Sequence, residues 1–217
     1  MDSVLSPFAI ACVVTALGIA GCFLADRSSL KVAEWVGKPA ASLAFVWLGV
    51  HTANGSAAPA VRAFLAALFL SLVGDLALMR KTNAAFLGGL GAFLLGHVAF
   101  VVAFILRGIS LPFAIGMVPL VMLVAVPVSR WLLPHVDGPM RAPVIAYMTV
   151  ISAMVVCAVG TYGHAPAPSI VVAALMFFVS DLAVARQQFV VKNVSNRLWG
   201  LPLYFGAQLI FAASVLR

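Results

Sequence analysis

The chain predicts an all-α fold: a polytopic membrane protein with eight transmembrane helices, forming a single integral membrane domain over residues 1–217. Three observations carry this reading. Of the 217 residues, 64% are hydrophobic and only 9% are charged. The mean hydropathy of +1.15 lies far above that of a soluble domain. Apolar runs of about 17–25 residues, the length that crosses a bilayer, recur from one end to the other. Helices are expected rather than strands because a helix satisfies its own backbone hydrogen bonds without water.

The first helix is expected over 4–25. Met1-Asp2-Ser3 lacks the basic region of a signal peptide, so this first run is read as retained. The second, 38–54, opens on Lys38-Pro39 and ends in a stretch crowded by His51 and Asn54. The third, 60–79, stops at Arg80-Lys81-Thr82-Asn83, and the fourth follows over 84–106. The fifth, 111–129, contains Pro119 and Pro127 and is expected to kink. His135-Val136-Asp137-Gly138-Pro139 separates it from the sixth, 141–161. Gly163-His164-Ala165-Pro166 leads to the seventh, 167–185, and the eighth covers 199–216, with Pro202 read as a first-turn proline.

The net charge of +7 does not indicate nucleic acid, because the basic residues stand singly between apolar runs. There they act as topology signals and lipid-phosphate contacts. Ten follow odd-numbered helices: Arg27, Lys31, Lys38, Arg80, Lys81, Arg130, Arg141, Arg186, Lys192 and Arg197. Arg62, Arg107 and Arg217, three in all, fall on the other side. The positive-inside rule then places both termini on the non-cytoplasmic side, and the short basic chain is expected in a bacterial inner membrane. Cys12, Cys22 and Cys157 lie in apolar segments without metal or disulfide spacing and read as small buried hydrophobes.

Two carboxylates interrupt the apolar runs in matching frames. One reads Gly74-Asp75-Leu76-Ala77, the other Ser180-Asp181-Leu182-Ala183. A carboxylate inside a membrane helix costs ~2.5–3.5 kcal/mol by insertion scales, so it faces the protein interior and serves a function. Each lies about five residues inside the cytoplasmic end of its helix, roughly 7–8 Å deep at ~1.5 Å per residue. Asp75 precedes His97, and Asp181 precedes Tyr204, by nearly the same interval. The two halves therefore read as parallel four-helix repeats.

Other polar residues are expected to complete one cavity. On the fourth helix, Gly88, Ala92 and Gly96 make a small-residue stripe for close helix contact, with Phe93 and His97 on a neighbouring face. On the eighth, Tyr204 and Gln208 share a face and need polar partners. Tyr147 fits core or cavity lining equally well. Ser71, one turn before Asp75, is its natural hydrogen-bond neighbour. Lys38 is either a snorkelling flank residue or a lipid-phosphate contact. His51, His135 and His164 fall near loops. No zinc motif, nucleophile elbow, P-loop or dinucleotide fingerprint is legible, so neither metal nor cofactor is expected.

Two carboxyls close together in low dielectric do not both ionise easily, which yields an acid and a base at neutral pH. Such a pair can protonate a substrate and activate water. The residues alone thus point to an intramembrane hydrolase of an amphiphile taken from the cytoplasmic leaflet. A proton-coupled transporter or flippase uses the same groups, and a structural or lipid-sensing protein remains a third reading.

The sequence also resembles the YhhN family, whose vertebrate members are lysoplasmalogenases. The resemblance rests on Gly74-Asp75-Leu76-Ala77-Leu78-Met79, on Phe86 with Gly88, and on Phe93-Leu94-Leu95-Gly96-His97. It continues through Ala146-Tyr147, Phe178-Val179-Ser180-Asp181-Leu182 and Leu203-Tyr204-Phe205-Gly206-Ala207-Gln208, with Lys38-Pro39 as the early element. Phe205 stands where the family pattern suggests a second tyrosine. The resemblance implies an eight-helix enzyme that hydrolyses the vinyl ether of a lysophospholipid to a fatty aldehyde and glycerophosphoethanolamine or glycerophosphocholine. Asp75 and Asp181 are then expected to be the catalytic pair, acid and carboxylate in an order the residues leave open, with His97, Tyr204 and Gln208 tuning and hydrogen-bonding them. Lys38, Arg80 or Arg186 would hold the substrate phosphate. A different lysolipid substrate stays open. The expected partners are the lysophospholipid and membrane lipids, with no nucleic acid and no obligate protein partner.

Overall fold

The computed structural model describes residues 6–27, 30–80 and 82–216. Met1-Asp2-Ser3 and two of the counted cations, Lys81 and Arg217, lie outside the described residues. Among the described residues the chain forms eight α-helices and no strand: α1 Pro7–Arg27, α2 Lys31–Ala53, α3 Pro59–Leu78, α4 Asn83–Arg107, α5 Leu111–Leu132, α6 Gly138–Tyr162, α7 Pro168–Ala185 and α8 Val194–Ala213. A short 3₁₀ turn, Leu133–His135, ends α5, and a π-helical turn, Arg186–Val190, continues α7.

Six of the eight helices are long and apolar enough to cross a membrane; α2 and α8 are not among them. Those two carry the charges of Lys31, Glu34, Lys38 and Arg197. Large apolar side chains such as Leu17 and Leu123 stand fully outward on α1 and α5. That surface suits hydrocarbon and would be an aggregation liability in water. The protein is an integral membrane protein.

Two helices begin earlier than the sequence suggests. α2 starts at Lys31 rather than 38, so Pro39 lies inside it. The extension is stable because α1 and α2 approach through glycine: a side chain on Gly18 would collide with the Gly37 carbonyl. α8 starts at Val194 rather than 199, because Asn193 caps it by accepting from the Ser195 amide at 2.9 Å. Pro202 is therefore an interior proline, not a first-turn one. The α4 contact stripe differs from the expected one at its first position, with Gly89 in place of Gly88. Gly88 faces open space, whereas Gly89 and Gly96 meet Gly74, Ala67 and Ser71 of α3.

Consecutive helices pair as α1–α2, α3–α4, α5–α6 and α7–α8. α2 also packs on α3, and α6 on α7. α4 lies against α6 and α8 against α2, which closes a ring of α2, α3, α4, α6, α7 and α8. α1 leans on this ring at α2 and α8, and α5 leans on it at α6. One end of the ring is filled by aromatics, with Phe100 and Phe211 centroids 4.3 Å apart and Phe64 and Phe104 edge-on to each other. The other end is hollow.

Candidate active site

The hollow is a cavity of about 640 Å³ lined from α2, α3, α4, α5, α6, α7 and α8. Its deep wall is apolar, with Leu90, Phe93, Ile151 and Phe178. Its outer end is polar, with Glu34, Arg80, Asn83, Gln187, Lys192 and Arg197. These outer residues come from the starts of α2, α4 and α8 and from the turns after α3 and α7. Asp75 and Asp181 both line the wall between the two regions. A cavity of this size with few convergent polar groups has the form of a small-ligand site.

Asp75 lies in the last turn of α3, where free carbonyls and the helix dipole disfavour a negative charge. Lys38 of α2 offsets both. Its ammonium is 3.2 Å from Asp75 Oδ1 and donates at 3.3 Å to the Asp75 backbone carbonyl. The other carboxylate oxygen, Oδ2, accepts from Ser42 at 2.7 Å and from Tyr204 at 2.6 Å. Both oxygens of Asp75 are thus engaged, and its side chain is only 3% exposed.

Asp181 sits near the end of α7 in a different setting. Tyr147 of α6 donates to its Oδ2 at 2.7 Å. His97 Nε2 is 3.7 Å from the same oxygen, too far for a hydrogen bond. The Phe93 carbonyl lies 2.6 Å from His97 Nδ1 and can only accept, so Nδ1 carries a proton. In the neutral ring Nε2 is then a bare acceptor aimed toward Asp181, buried and without a hydrogen-bond partner. Among the described residues no lysine or arginine pairs with Asp181. Its side chain is 14% exposed, more open to the cavity than Asp75.

Aromatic rings fix this arrangement. The Tyr204 ring is held edge-on by Phe93 at 5.7 Å and Phe177 at 5.3 Å. Phe177 also packs on His97 at 4.5 Å, and His97 lies edge-on to Tyr147 at 5.2 Å.

The sequence-based set is only partly assembled here. Asp75, Asp181, Tyr147 and Tyr204 line one cavity, with Lys38 and Arg80. Ser71 does not reach Asp75; it donates back to the Ala67 carbonyl, one turn earlier, and Ser42 takes the expected place. Gln208 is fully buried one turn beyond Tyr204, and its amide has no hydrogen-bond partner among the described residues. Arg186 does not line the cavity but holds Asn196 at 2.5 Å. Lys38 is committed to Asp75 rather than free for a phosphate. Sequence reasoning missed Ser42, Glu34, Lys192 and Arg197. Ser42 carried a signal, since it lies one helical turn after Lys38; the others required tertiary contacts.

The YhhN family matches residues 33–215 of the chain. A Homo sapiens protein named Lysoplasmalogenase TMEM86B is 34% identical over 151 residues, 70% of this chain and 62% of its own length. The Sus scrofa protein of the same name is 32% identical over 149 residues, 69% of this chain and 61% of its own length. The chain thus aligns with a little over three fifths of the relatives it matches. No solved structure matches it. The matched span contains Lys38, both aspartates, His97 and both cavity tyrosines, and on this ground the chain belongs to the YhhN family.

Proposed function

We propose that this protein is an intramembrane hydrolase that cleaves the vinyl ether of a lysophospholipid, releasing a fatty aldehyde and a glycerophospho-headgroup. The observation that carries the reading is the unequal pair of carboxylates in one amphiphilic cavity. The names of the two relatives support the substrate class.

The unequal surroundings support one division of roles. Asp75, with Lys38 as counter-ion, is the standing carboxylate. Asp181, whose one donor is the neutral Tyr147 hydroxyl and which is the more open to the cavity, is the proton donor. Protonation of the vinyl β-carbon by Asp181 gives an oxocarbenium ion. Asp75 steadies that cation and orients a water molecule for attack. As water adds, its proton returns to Asp181, and the resulting hemiacetal collapses to aldehyde and alcohol. The Tyr147 hydroxyl positions the Asp181 carboxyl, which His97 Nε2 faces at 3.7 Å, and Tyr204 and Ser42 position Asp75. Arg80 and Lys192, at the polar end, receive the phosphate in place of Arg186.

We further propose that all eight helices cross the bilayer and that the chain is a duplication of two parallel four-helix halves. The matching contacts support this: α1–α2–α3–α4 pack in the same order as α5–α6–α7–α8. The ring closes by α4 on α6 and α8 on α2, as a two-fold relation requires. Each aspartate takes a hydroxyl donor from its own half, Ser42 or Tyr147, and faces one group from the other half, Tyr204 or His97, while Lys38 pairs with Asp75 alone. The basic turns supported by the charge count would put the cavity mouth on the cytoplasmic side and both termini on the other.

Turnover in heavy water tests the chemistry. Purified protein given a 1-alkenyl lysophospholipid in D₂O should release aldehyde bearing one deuterium on its α-carbon. Movement of intact lipid across vesicles without aldehyde would favour a carrier instead.

A further inference from the structure

At the cavity mouth Arg197, from the first turn of α8, donates at 2.8 Å to Asp26 at the end of α1 and at 2.6 Å to Glu34 near the start of α2. One guanidinium therefore ties three helix ends together, and it is shared by two carboxylates. The cluster keeps one net negative charge. Asp26 is not part of the cavity lining, whereas Glu34 and Arg197 are. Among the described lining residues Glu34 is the one carboxylate besides Asp75 and Asp181. Arg197 engages its Oε1, and a carboxylate accepts further donors on its second oxygen.

Arg80 and Lys192 line the same mouth from the turns after α3 and α7. Among the described residues neither lies within ion-pair distance of a carboxylate. The mouth therefore offers both signs of charge: free cations from two turns and, on the α2–α8 side, the Glu34 carboxylate with one oxygen engaged by Arg197, while Lys31 brings a further cation to the Ala25 carbonyl beside Asp26. A headgroup that is only an anion would gain from the cations and be opposed by Glu34. A headgroup with a phosphate and a cationic nitrogen would use both.

We propose that Glu34 is a specificity determinant for the headgroup: it receives an ammonium or quaternary ammonium nitrogen while Arg80 and Lys192 hold the phosphate of the same molecule. This rests on the lysophospholipid reading above. Arg197 positions Glu34, and Lys38 is held by Asp75 instead.

Saturated 1-alkyl ether lysolipids have no vinyl ether to cleave, so they separate binding from turnover. Two with the same tail should be titrated into the detergent-solubilised protein, one bearing phosphocholine and one a bare phosphate monoester. Wild-type protein should bind the phosphocholine lipid more tightly. Glu34→Gln, which keeps an acceptor for Arg197, should reduce that preference about two- to fivefold, the size of one partly exposed ion pair. Glu34→Asp should retain it in part. Arg80→Ala with Lys192→Ala should weaken both lipids together and leave the ratio in place. Equal wild-type affinity for the two lipids overturns the proposal without any variant. An equal loss for both in Glu34→Gln also overturns it, since a purely structural ion pair predicts that result. A headgroup preference without aldehyde from the alkenyl counterpart would instead overturn the hydrolase reading alone.

Discussion

Tyr204, on the last helix, donates a 2.6 Å hydrogen bond to Asp75 across 129 positions of sequence. The bond joins the two halves of the chain at the carboxylate assigned to steady the cation. Tyr204→Phe keeps the aromatic packing on Phe93 and Phe177 and removes only the donor. It should lower kcat by about tenfold or more while costing about 1 kcal/mol of stability. Steady-state kinetics beside thermal unfolding in detergent separates the two effects.

Tyr147→Phe acts on the other carboxylate and should behave differently. The hydroxyl positions the Asp181 carboxyl, so its loss should lower kcat with little change in KM. The same double measurement on both phenylalanine variants checks this. A variant that raised KM alone would place Tyr147 in substrate binding instead.

Lys38→Met leaves Asp75 as a buried charge without its counter-ion. Removing one partner of a buried pair typically costs about 3–5 kcal/mol. Unfolding should shift down sharply. Adding Asp75→Asn to Lys38→Met should restore much of the stability and none of the activity. A thermal-unfolding double-mutant cycle reads the coupling directly.

Gly18→Leu tests the α1–α2 crossing, which is remote from the carboxylates. The added side chain must displace the Gly37 carbonyl. A destabilisation of about 1–3 kcal/mol is expected, as for overpacking generally. The activity of the protein that remains folded should be close to wild type, measured per unit of monodisperse protein.

Much of this was legible in the residues. Asp75 and Asp181 stood out because a lone carboxylate in an apolar run has few alternatives to a buried partner. Lys38 and Tyr147 were visible as polar residues but not as partners, because the pairing distance between α2 and α3, or α6 and α7, has no sequence period. The start of α2 was misplaced because Lys38-Pro39 looks like a helix opening, and only the Gly18–Gly37 contact explains why the helix begins seven residues earlier. Ser71 looked right by its one-turn spacing, yet a serine inside a helix readily bonds its own backbone. Arg197 was hidden for a different reason: it pairs with Asp26 and Glu34 at the far end of the chain, so no local pattern marks it.

The most direct test of the two-carboxylate account is aldehyde release by purified protein from a 1-alkenyl lysophospholipid, followed by mass spectrometry. Wild type, Asp75→Asn and Asp181→Asn would be compared at equal folded concentration. Aldehyde from wild type, reduced in both variants by roughly 10²-fold or more as loss of a general acid or its partner carboxylate predicts, would support the assignment. Wild-type turnover in folded Asp181→Asn protein would contradict it.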